Sequence, residues 1–147
     1  MKVTFDIVKQ MVEPFVTITA MQKTPDLIEL GQTIEDFSTL LMIEGHHDDR
    51  TVSIAIADVI RFHTAGKSVV CETATGTYQI RQRIYELAER LSKRLFIQIS
   101  SSEIVRISCI KQFDLGRGGI FLVRLTSDEV TYTSRRYAQT LKRRLLK

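Results

Sequence analysis

The N-terminal third of the chain alternates twice between apolar and polar residues before a helical pattern begins. Residues 2–8 and 15–20 each alternate like a strand, and Glu13-Pro14 falls between them, which predicts a β-hairpin. Thr24-Pro25-Asp26 is typical of a helix start, because a hydroxyl caps the first turn and proline fits its first position. The predicted helix carries an apolar face made of Leu27, Leu30, Ile34, Phe37, Leu40 and Leu41. We interpret residues 1–45 as a small ββα N-terminal extension.

The rest of the chain is dominated by short apolar runs that are typical of strands. A polar turn at Gly45–Arg50 marks the boundary with the extension. Beyond it, strands are predicted at 50–56, 59–64, 68–73, 76–80, 96–100, 104–113, 119–126 and 129–134. Residues 82–95 have a helical period, and a short basic helix opens at Arg135. The predicted fold class is mainly β with a few helices (α+β), and residues 46–147 form the second domain.

Composition is that of a globular protein. A chain of 147 residues with 44% hydrophobic residues suits one domain with a small appendage. It has no run of about 18 apolar residues, and its N-terminus lacks a signal-peptide pattern, which predicts a cytoplasmic location. Cys71 and Cys109 lie inside apolar runs, so we expect buried free thiols rather than a disulfide or a ligand pair.

Charge is segregated along the chain to a degree that the net charge of +4 hides. Residues 1–49 hold three basic and nine acidic residues, a formal charge of −6. Residues 50–147 hold 18 basic and 8 acidic residues, a formal charge of +10. An acidic head before a basic body is expected of a nucleic-acid binder whose N-terminal part has another role.

The C-terminal helix is the strongest single indication of a polyanionic partner. From Arg135 to Lys147 there are six basic residues and no acidic one. Arg135 and Arg136 open the helix, where the helix dipole favours anions, so a phosphate backbone could meet the free N–H groups and both guanidinium groups together. A second interpretation is a solvated amphipathic helix that packs through Tyr137, Leu141 and Leu145. The two interpretations are compatible.

Three other segments suggest chemistry, but none completes a catalytic site. His46-His47-Asp48-Asp49 contains metal-ligand types, yet adjacent ligands rarely all point inward, and a solvated turn is the favoured interpretation. Ser100-Ser101-Ser102-Glu103 lacks a nucleophile elbow. Gly116-Arg117-Gly118-Gly119 lacks the Gly-Lys-Ser/Thr ending of a phosphate loop. We therefore predict neither an enzyme nor a cofactor. A third possible function is a metal-dependent nuclease that uses His46–Asp49. It predicts cleavage of nucleic acid that a chelator abolishes.

Five segments follow one another in a characteristic order: 60–70, 77–80, 87–91, 95–107 and 132–142. Together they resemble the LytTR DNA-binding domain of bacterial transcription regulators. The resemblance covers roughly residues 45–147 and is strongest at Ser102-Glu-Ile-Val105 and Ser134-Arg-Arg-Tyr137. The chain departs from the family at Phe96-Ile97-Gln98, where an aromatic pair followed by arginine is common, and at Arg106, where asparagine is common. An arginine at position 106 needs a partner for its charge.

The resemblance implies an elongated β fold whose loops, rather than a recognition helix, enter successive major grooves. Three segments would then face DNA: the Gly66 turn with Lys67 and Ser68; the loop Ser100, Ser101 and Ser102; and Arg135 with Arg136. Arg135 can bind guanine O6 and N7 bidentately, Ser101 can bond a base edge or a phosphate, and Lys67 can meet the backbone. Lys142 and Arg143 would add phosphate contacts.

The resemblance also implies partners. We expect double-stranded DNA, bound as paired repeats by a homodimer, and the stand-alone form of the family without a receiver domain. In that form a membrane protein often regulates the DNA-binding protein, here through residues 1–45. The alternative function is a protein-interaction module bound to a membrane partner, with only non-specific contact to nucleic acid or acidic lipid.

Overall fold

The fold is taken from a computed structural model, which describes residues 1–9, 15–38 and 41–146, except for the side chains of 36–38. The chain divides into two compact units, Met1–Ser38 and Thr39–Lys147. The division falls before the turn at Gly45–Arg50, because residues 42–47 form a strand that pairs within the second unit.

The first unit contains one helix, α1 (Pro25–Ser38), which begins where the sequence predicts. Thr24 caps it, since its hydroxyl accepts a hydrogen bond from the Leu27 N–H at 3.4 Å. The two strands predicted at 2–8 and 15–20 are wrong: no strand forms in 1–9 or 15–24. A two-stranded hairpin is only marginally stable by itself. The alternation of apolar and polar residues does not provide the third strand that would stabilise it. The expected hairpin end, Glu13-Pro14, and residues 39–40 lie outside the described residues.

The second unit, the body, is mainly β, as predicted. Its elements are β1 (Met42–His47), β2 (Arg50–Ala55), β3 (Val59–Ala65), β4 (Ser68–Thr73), β5 (Thr77–Ile80), α2 (Ile84–Arg90), β6 (Phe96–Ser100), β7 (Glu103–Arg106), β8 (Ile110–Leu115), β9 (Phe121–Leu125), β10 (Val130–Tyr132) and α3 (Arg135–Leu145). All the described strand pairs are antiparallel. One sheet has the order β2-β1-β5-β4-β3-β7-β6, and the other β10-β9-β8.

Several element boundaries differ from the sequence prediction, and three of the differences are large. The run at 104–113 is two strands, because a 3₁₀ turn at Ile107–Cys109 carries the chain from the first sheet to the second. The helix expected at 82–95 ends at Arg90, and Leu91 is already extended (φ −69°, ψ 143°) while still buried. His46 and His47 belong to strand β1. The turn predicted at Gly45–Arg50 therefore contains only Asp48 and Asp49.

The core has two clusters of buried apolar side chains. The first lies around α2 and includes Phe62, Cys71, Leu87 and Phe96. The second joins the two sheets to α3, whose Ala138 and Leu141 are buried with Leu145 partly buried against them. The apolar face predicted for the C-terminal helix therefore holds that helix on the body.

An ionic cluster also links the two sheets. Arg61 on β3 donates to Glu72 of β4 at 2.6 Å and to Glu103 of β7 at 3.0 Å, and its side chain is only 12% exposed. Glu103 in turn accepts a hydrogen bond at 2.5 Å from Thr131 of β10, in the second sheet. Burial opposes the charge of Arg61, but the hydrogen bonds to both carboxylates outweigh it and raise the pKa of the guanidinium.

Arg106 stands where the family resemblance leads us to expect asparagine. Its guanidinium binds backbone carbonyl groups. Its guanidinium donates to the Val59 carbonyl at 2.7 Å and to the Ile56 carbonyl, and it lies 4.5 Å from the centre of the Phe96 ring. The charge is therefore satisfied by carbonyl oxygens and an aromatic face.

Both cysteines are free, as predicted, although only Cys71 is fully buried and Cys109 is half-buried. Burial, and then the negative charge of Glu72, raise the pKa of the Cys71 thiol to about 12. Cys71 is therefore a protonated core residue at neutral pH.

Candidate nucleic-acid interface

Three segments of the body meet at one edge, and backbone hydrogen bonds hold them there. The β3–β4 turn at Gly66-Lys67 lies beside the β6–β7 turn, because the Thr64 N–H donates to the Ser102 carbonyl at 2.9 Å. The start of α3 lies beside the same β6–β7 turn, because the Ser134 N–H donates to the Ile99 carbonyl at 2.9 Å. We call this surface, residues 66–68, 100–102 and 134–136, the loop edge.

The β3–β4 turn exposes its lysine. Gly66 has a φ of +62°, which favours glycine, and the pairing of Ala65 with Ser68 closes the turn. Lys67 is exposed, whereas the Ser68 hydroxyl accepts a hydrogen bond from the Gln79 amide. The Lys67 carbonyl accepts a hydrogen bond from Arg83 at 3.2 Å, which places a second basic side chain at this turn.

We call the β6–β7 turn, residues 100–102, the serine turn. Its own hydroxyl groups form hydrogen bonds within it. Ser100 Oγ accepts a hydrogen bond from the Ser102 N–H at 3.2 Å and lies 3.2 Å from Ser102 Oγ. Ser101, at the tip, is exposed. Local hydrogen bonding of this kind stabilises a tight turn.

The start of α3 presents both arginines outward. Ser134 is the extended residue before the helix, and Arg135 and Arg136 are exposed. The Arg136 guanidinium lies 5.8 Å from the centre of the Tyr137 ring. The Arg135 side chain lies next to Gly118. Gly118 precedes β9, and the Thr133 N–H, just before α3, donates to the Phe121 carbonyl at the start of that strand.

A cleft of about 320 Å³ lies between these segments. Thr64, Ser101 and Tyr137 line it from β3, the serine turn and α3. Arg83 lines it as well, from the residue that precedes α2. The cleft therefore adjoins the loop edge at Ser101.

Two of the expected site residues lie elsewhere. Lys142 and Arg143 are exposed in the last turn of α3, about 10 Å along the helix axis from Arg135. Next to them, Arg144 donates to the Lys93 carbonyl, before the start of β6, while the helix begins beside the end of β6. α3 thus runs antiparallel to β6, and these two cations are not part of the loop edge.

The cations of the loop edge and of α3 have no acidic partner within the described part of the chain. No ion pair there includes Lys67, Arg83, Arg135, Arg136, Lys142 or Arg143. Arg61, in contrast, is paired with three carboxylates, the third being Glu129 at 3.8 Å. The exposed cations are thus the ones available to a polyanion.

Sequence reasoning missed two basic residues near the loop edge. Arg83 appears in the sequence only as one of the polar residues of a helix, and its bond to the Lys67 carbonyl joins positions far apart in the chain. Arg117 is exposed in the loop next to Gly118, which Arg135 contacts. The glycines of that loop were the available signal, because they allow close backbone approach.

The His46–Asp49 segment forms local bonds. His46 Nδ1 lies 3.2 Å from the Thr51 hydroxyl, and His47 Nδ1 lies 3.2 Å from the Thr77 carbonyl. Among the side chains that the structure describes, no three His, Cys, Asp or Glu residues are grouped to hold a metal ion. Across residues 1–9, 15–38 and 41–146, no helix is both long and apolar enough to cross a membrane.

Comparisons with known proteins identify relatives of the whole chain. The chain is 31% identical over 145 residues to an uncharacterized HTH-type transcriptional regulator of Staphylococcus aureus (strain bovine RF122 / ET3-1), covering 99% of this chain and 98% of the relative. The corresponding protein of strain NCTC 8325 is 30% identical with the same coverage. In this chain, the described helices are separated by strands, so none forms a helix-turn-helix pair.

The solved structure of a LytTr DNA-binding domain from Bacillus cereus has the same fold. It superposes with a TM-score of 0.67 at 20% identity, covering 69% of this chain and 94% of that domain. The family model for the LytTr DNA-binding domain matches residues 49–146, which confirms the resemblance found in the sequence. This chain belongs to the LytTR DNA-binding domain family.

Proposed function

We propose that this protein is a sequence-specific transcription regulator that reads major-groove bases through the loop edge. The observation that carries the proposal is that backbone hydrogen bonds hold the segments of Lys67, Ser101 and Arg135 side by side, with no acidic partner for either cation in the described residues. LytTR is a family of DNA-binding domains rather than of enzymes, and the Staphylococcus aureus relatives are named as transcriptional regulators.

The residue types support a division of roles. The exposed guanidinium of Arg135 can donate two hydrogen bonds to guanine O6 and N7, and the Ser101 hydroxyl can bond a base edge. Lys67, Arg136, Lys142 and Arg143 would contact phosphates, which fixes register and orientation without reading sequence. Ser68, Ser100 and Ser102 would hold the two turns in shape, since their hydroxyls are already in local hydrogen bonds.

The assembly follows from the same proposal. A homodimer on paired repeats would place two loop edges on one face of the duplex, and such a regulator would act in the cytoplasm. Residues 1–45 would serve dimerisation or regulation, and a membrane protein is the partner that the family resemblance suggests for them.

Binding-site selection from random duplex DNA tests the proposed function. We expect enrichment of one motif, and affinity for that motif at least about 10³-fold above that for a scrambled duplex at physiological salt. Selection that returns no motif, with equal weak binding to all duplexes, would instead favour the protein-interaction module. Binding should be measured at several salt concentrations, because phosphate contacts alone give strong binding at low salt.

A further inference from the structure

The loop between β8 and β9 closes tightly beside Arg135. We call residues 116–119 the glycine loop. The Gly116 N–H donates to the Ile120 carbonyl at 2.7 Å, and both Gly118 (φ +71°) and Gly119 (φ +77°) have positive φ values. Glycine adopts this conformation without the strain that other residues incur.

The two positive-φ glycines differ in what surrounds them. A Cβ added to Gly118 would stand 3.2 Å from Arg135 Nη2, 3.7 Å from Nε and 3.8 Å from Cζ. A Cβ added to Gly119 would meet nothing within 4 Å. A Cβ at position 118 would therefore meet the guanidinium of Arg135 more closely than in an ordinary van der Waals contact, and one of the two would have to shift by a few tenths of an ångström.

This contact matters because an exposed arginine otherwise samples many rotamers. In the described residues Arg135 has no carboxylate partner to orient it, and its guanidinium occupies the space next to Gly118 that a side chain at position 118 would enter. Bidentate hydrogen bonding to guanine requires the guanidinium plane to be correctly oriented, so fixing the side chain before binding lowers the entropic cost of recognition.

We propose that Gly118 is a positioning residue for Arg135, and that the glycine loop thereby helps to set the base specificity of the DNA site. This inference rests on the proposed function, with Arg135 as the residue that reads a base. A methyl group at position 118 would displace the far end of the Arg135 side chain, which moves at little cost to the fold.

The test compares Gly118→Ala with Gly119→Ala. Both substitutions place alanine at a positive φ, so their losses of stability are matched, but only the first adds a methyl group against Arg135. The ratio of affinities for the selected operator and a scrambled duplex is measured for both variants, for Arg135→Ala and for the double variant Gly118→Ala/Arg135→Ala. Gly118→Asn is the second variant, because asparagine tolerates positive φ yet still carries a Cβ.

We expect Gly118→Ala and Gly118→Asn to lower the specificity ratio by about tenfold, within the range for loss of one good base contact, and Gly119→Ala to leave it unchanged. In the Arg135→Ala background, Gly118→Ala should lower the ratio no further. Equal ratios for the alanine variants at 118 and 119, or an undiminished effect of Gly118→Ala without Arg135, would overturn the inference while leaving the proposed function intact. A wild-type protein without sequence preference would overturn both.

Discussion

The guanidinium of Arg61 is surrounded by carboxylates, whereas that of Arg135 lies against a glycine backbone and is otherwise exposed. A paired, largely buried arginine is held by its carboxylates and is not exposed to a ligand. An exposed arginine without an acidic partner contributes little to stability but can bind an anion. Surroundings, rather than residue type, therefore separate the structural arginine from the candidate DNA contact.

Arg61→Ala should lower the free energy of unfolding by about 2 to 4 kcal/mol. The substitution leaves Glu72 and Glu103 close together and largely buried without a cation, and breaking a fully buried pair costs about 3 to 5 kcal/mol. Urea denaturation measures the change. Arg90→Ala, on the exposed side of α2, is the control and should change the free energy by less than about 0.5 kcal/mol. Equal effects at the two positions would show that the ionic cluster contributes nothing.

Cys71 should make the protein less stable in alkali. Its pKa is raised to about 12 in the folded protein, so between the ordinary thiol value and that pH the unfolded chain loses a proton that the folded chain keeps. The free energy of unfolding must then fall as pH rises through this interval. Urea denaturation at several pH values should show a shallower fall for Cys71→Ala than for the wild type. Parallel curves would mean that the thiol does not titrate differently on unfolding.

At the scale of elements, local pattern predicted the strands whose ends coincide with turns. Strands β4 and β6 match the predicted ranges 68–73 and 96–100, because glycine or serine turns limit them. The run at 104–113 could not be divided from sequence, since Ile107–Cys109 is as apolar as the strands on either side. The alternating pattern of the N-terminal residues predicted two strands that do not form. A strand requires a neighbouring strand, and the pattern of one segment does not provide it.

The candidate site shows the same division between local and long-range information. Family resemblance pointed to Lys67, Ser101 and Arg135 individually. Their meeting depends on the bonds from Thr64 to Ser102 and from Ser134 to Ile99, which join residues distant in sequence. The proximity of Arg135 to Gly118 also joins residues distant in sequence: the glycines of 116–119 indicate that a close approach is possible there, but not which side chain approaches.

The packing of α3 against the sheets gives a prediction about the free energy of unfolding. Leu141→Ala should lower the free energy of unfolding by about 2 to 5 kcal/mol, because Leu141 is fully buried between α3 and the sheets. The exposed Gln139→Ala on the same helix is the control and should have an effect below about 0.5 kcal/mol. Thermal or urea denaturation measures both. If the two variants unfolded alike, the packing assigned to the helix would be incorrect.

For the whole molecule, the segregated charge implies that salt governs affinity. The body carries exposed cations at the loop edge and along α3, and each phosphate contact releases counterions from DNA. A single cation outside the loop edge should therefore affect all sequences equally, because it contacts only the backbone.

Lys142→Ala tests this separation. It should weaken binding to the operator and to a scrambled duplex by the same factor, and reduce the slope of log affinity against log salt by about one. Fluorescence anisotropy titrations at a series of salt concentrations provide both quantities. A loss confined to the operator would place Lys142 among the base-reading residues instead.

If the loop edge reads sequence through Arg135, titrations of the wild type and of Arg135→Ala against the selected operator and a scrambled duplex should separate base reading from phosphate binding. We expect a loss of about 1 to 3 kcal/mol on the operator, relaxed base preference at one position, and a much smaller loss on the scrambled duplex. Equal losses on the two duplexes would contradict base reading, because they would make Arg135 a phosphate contact.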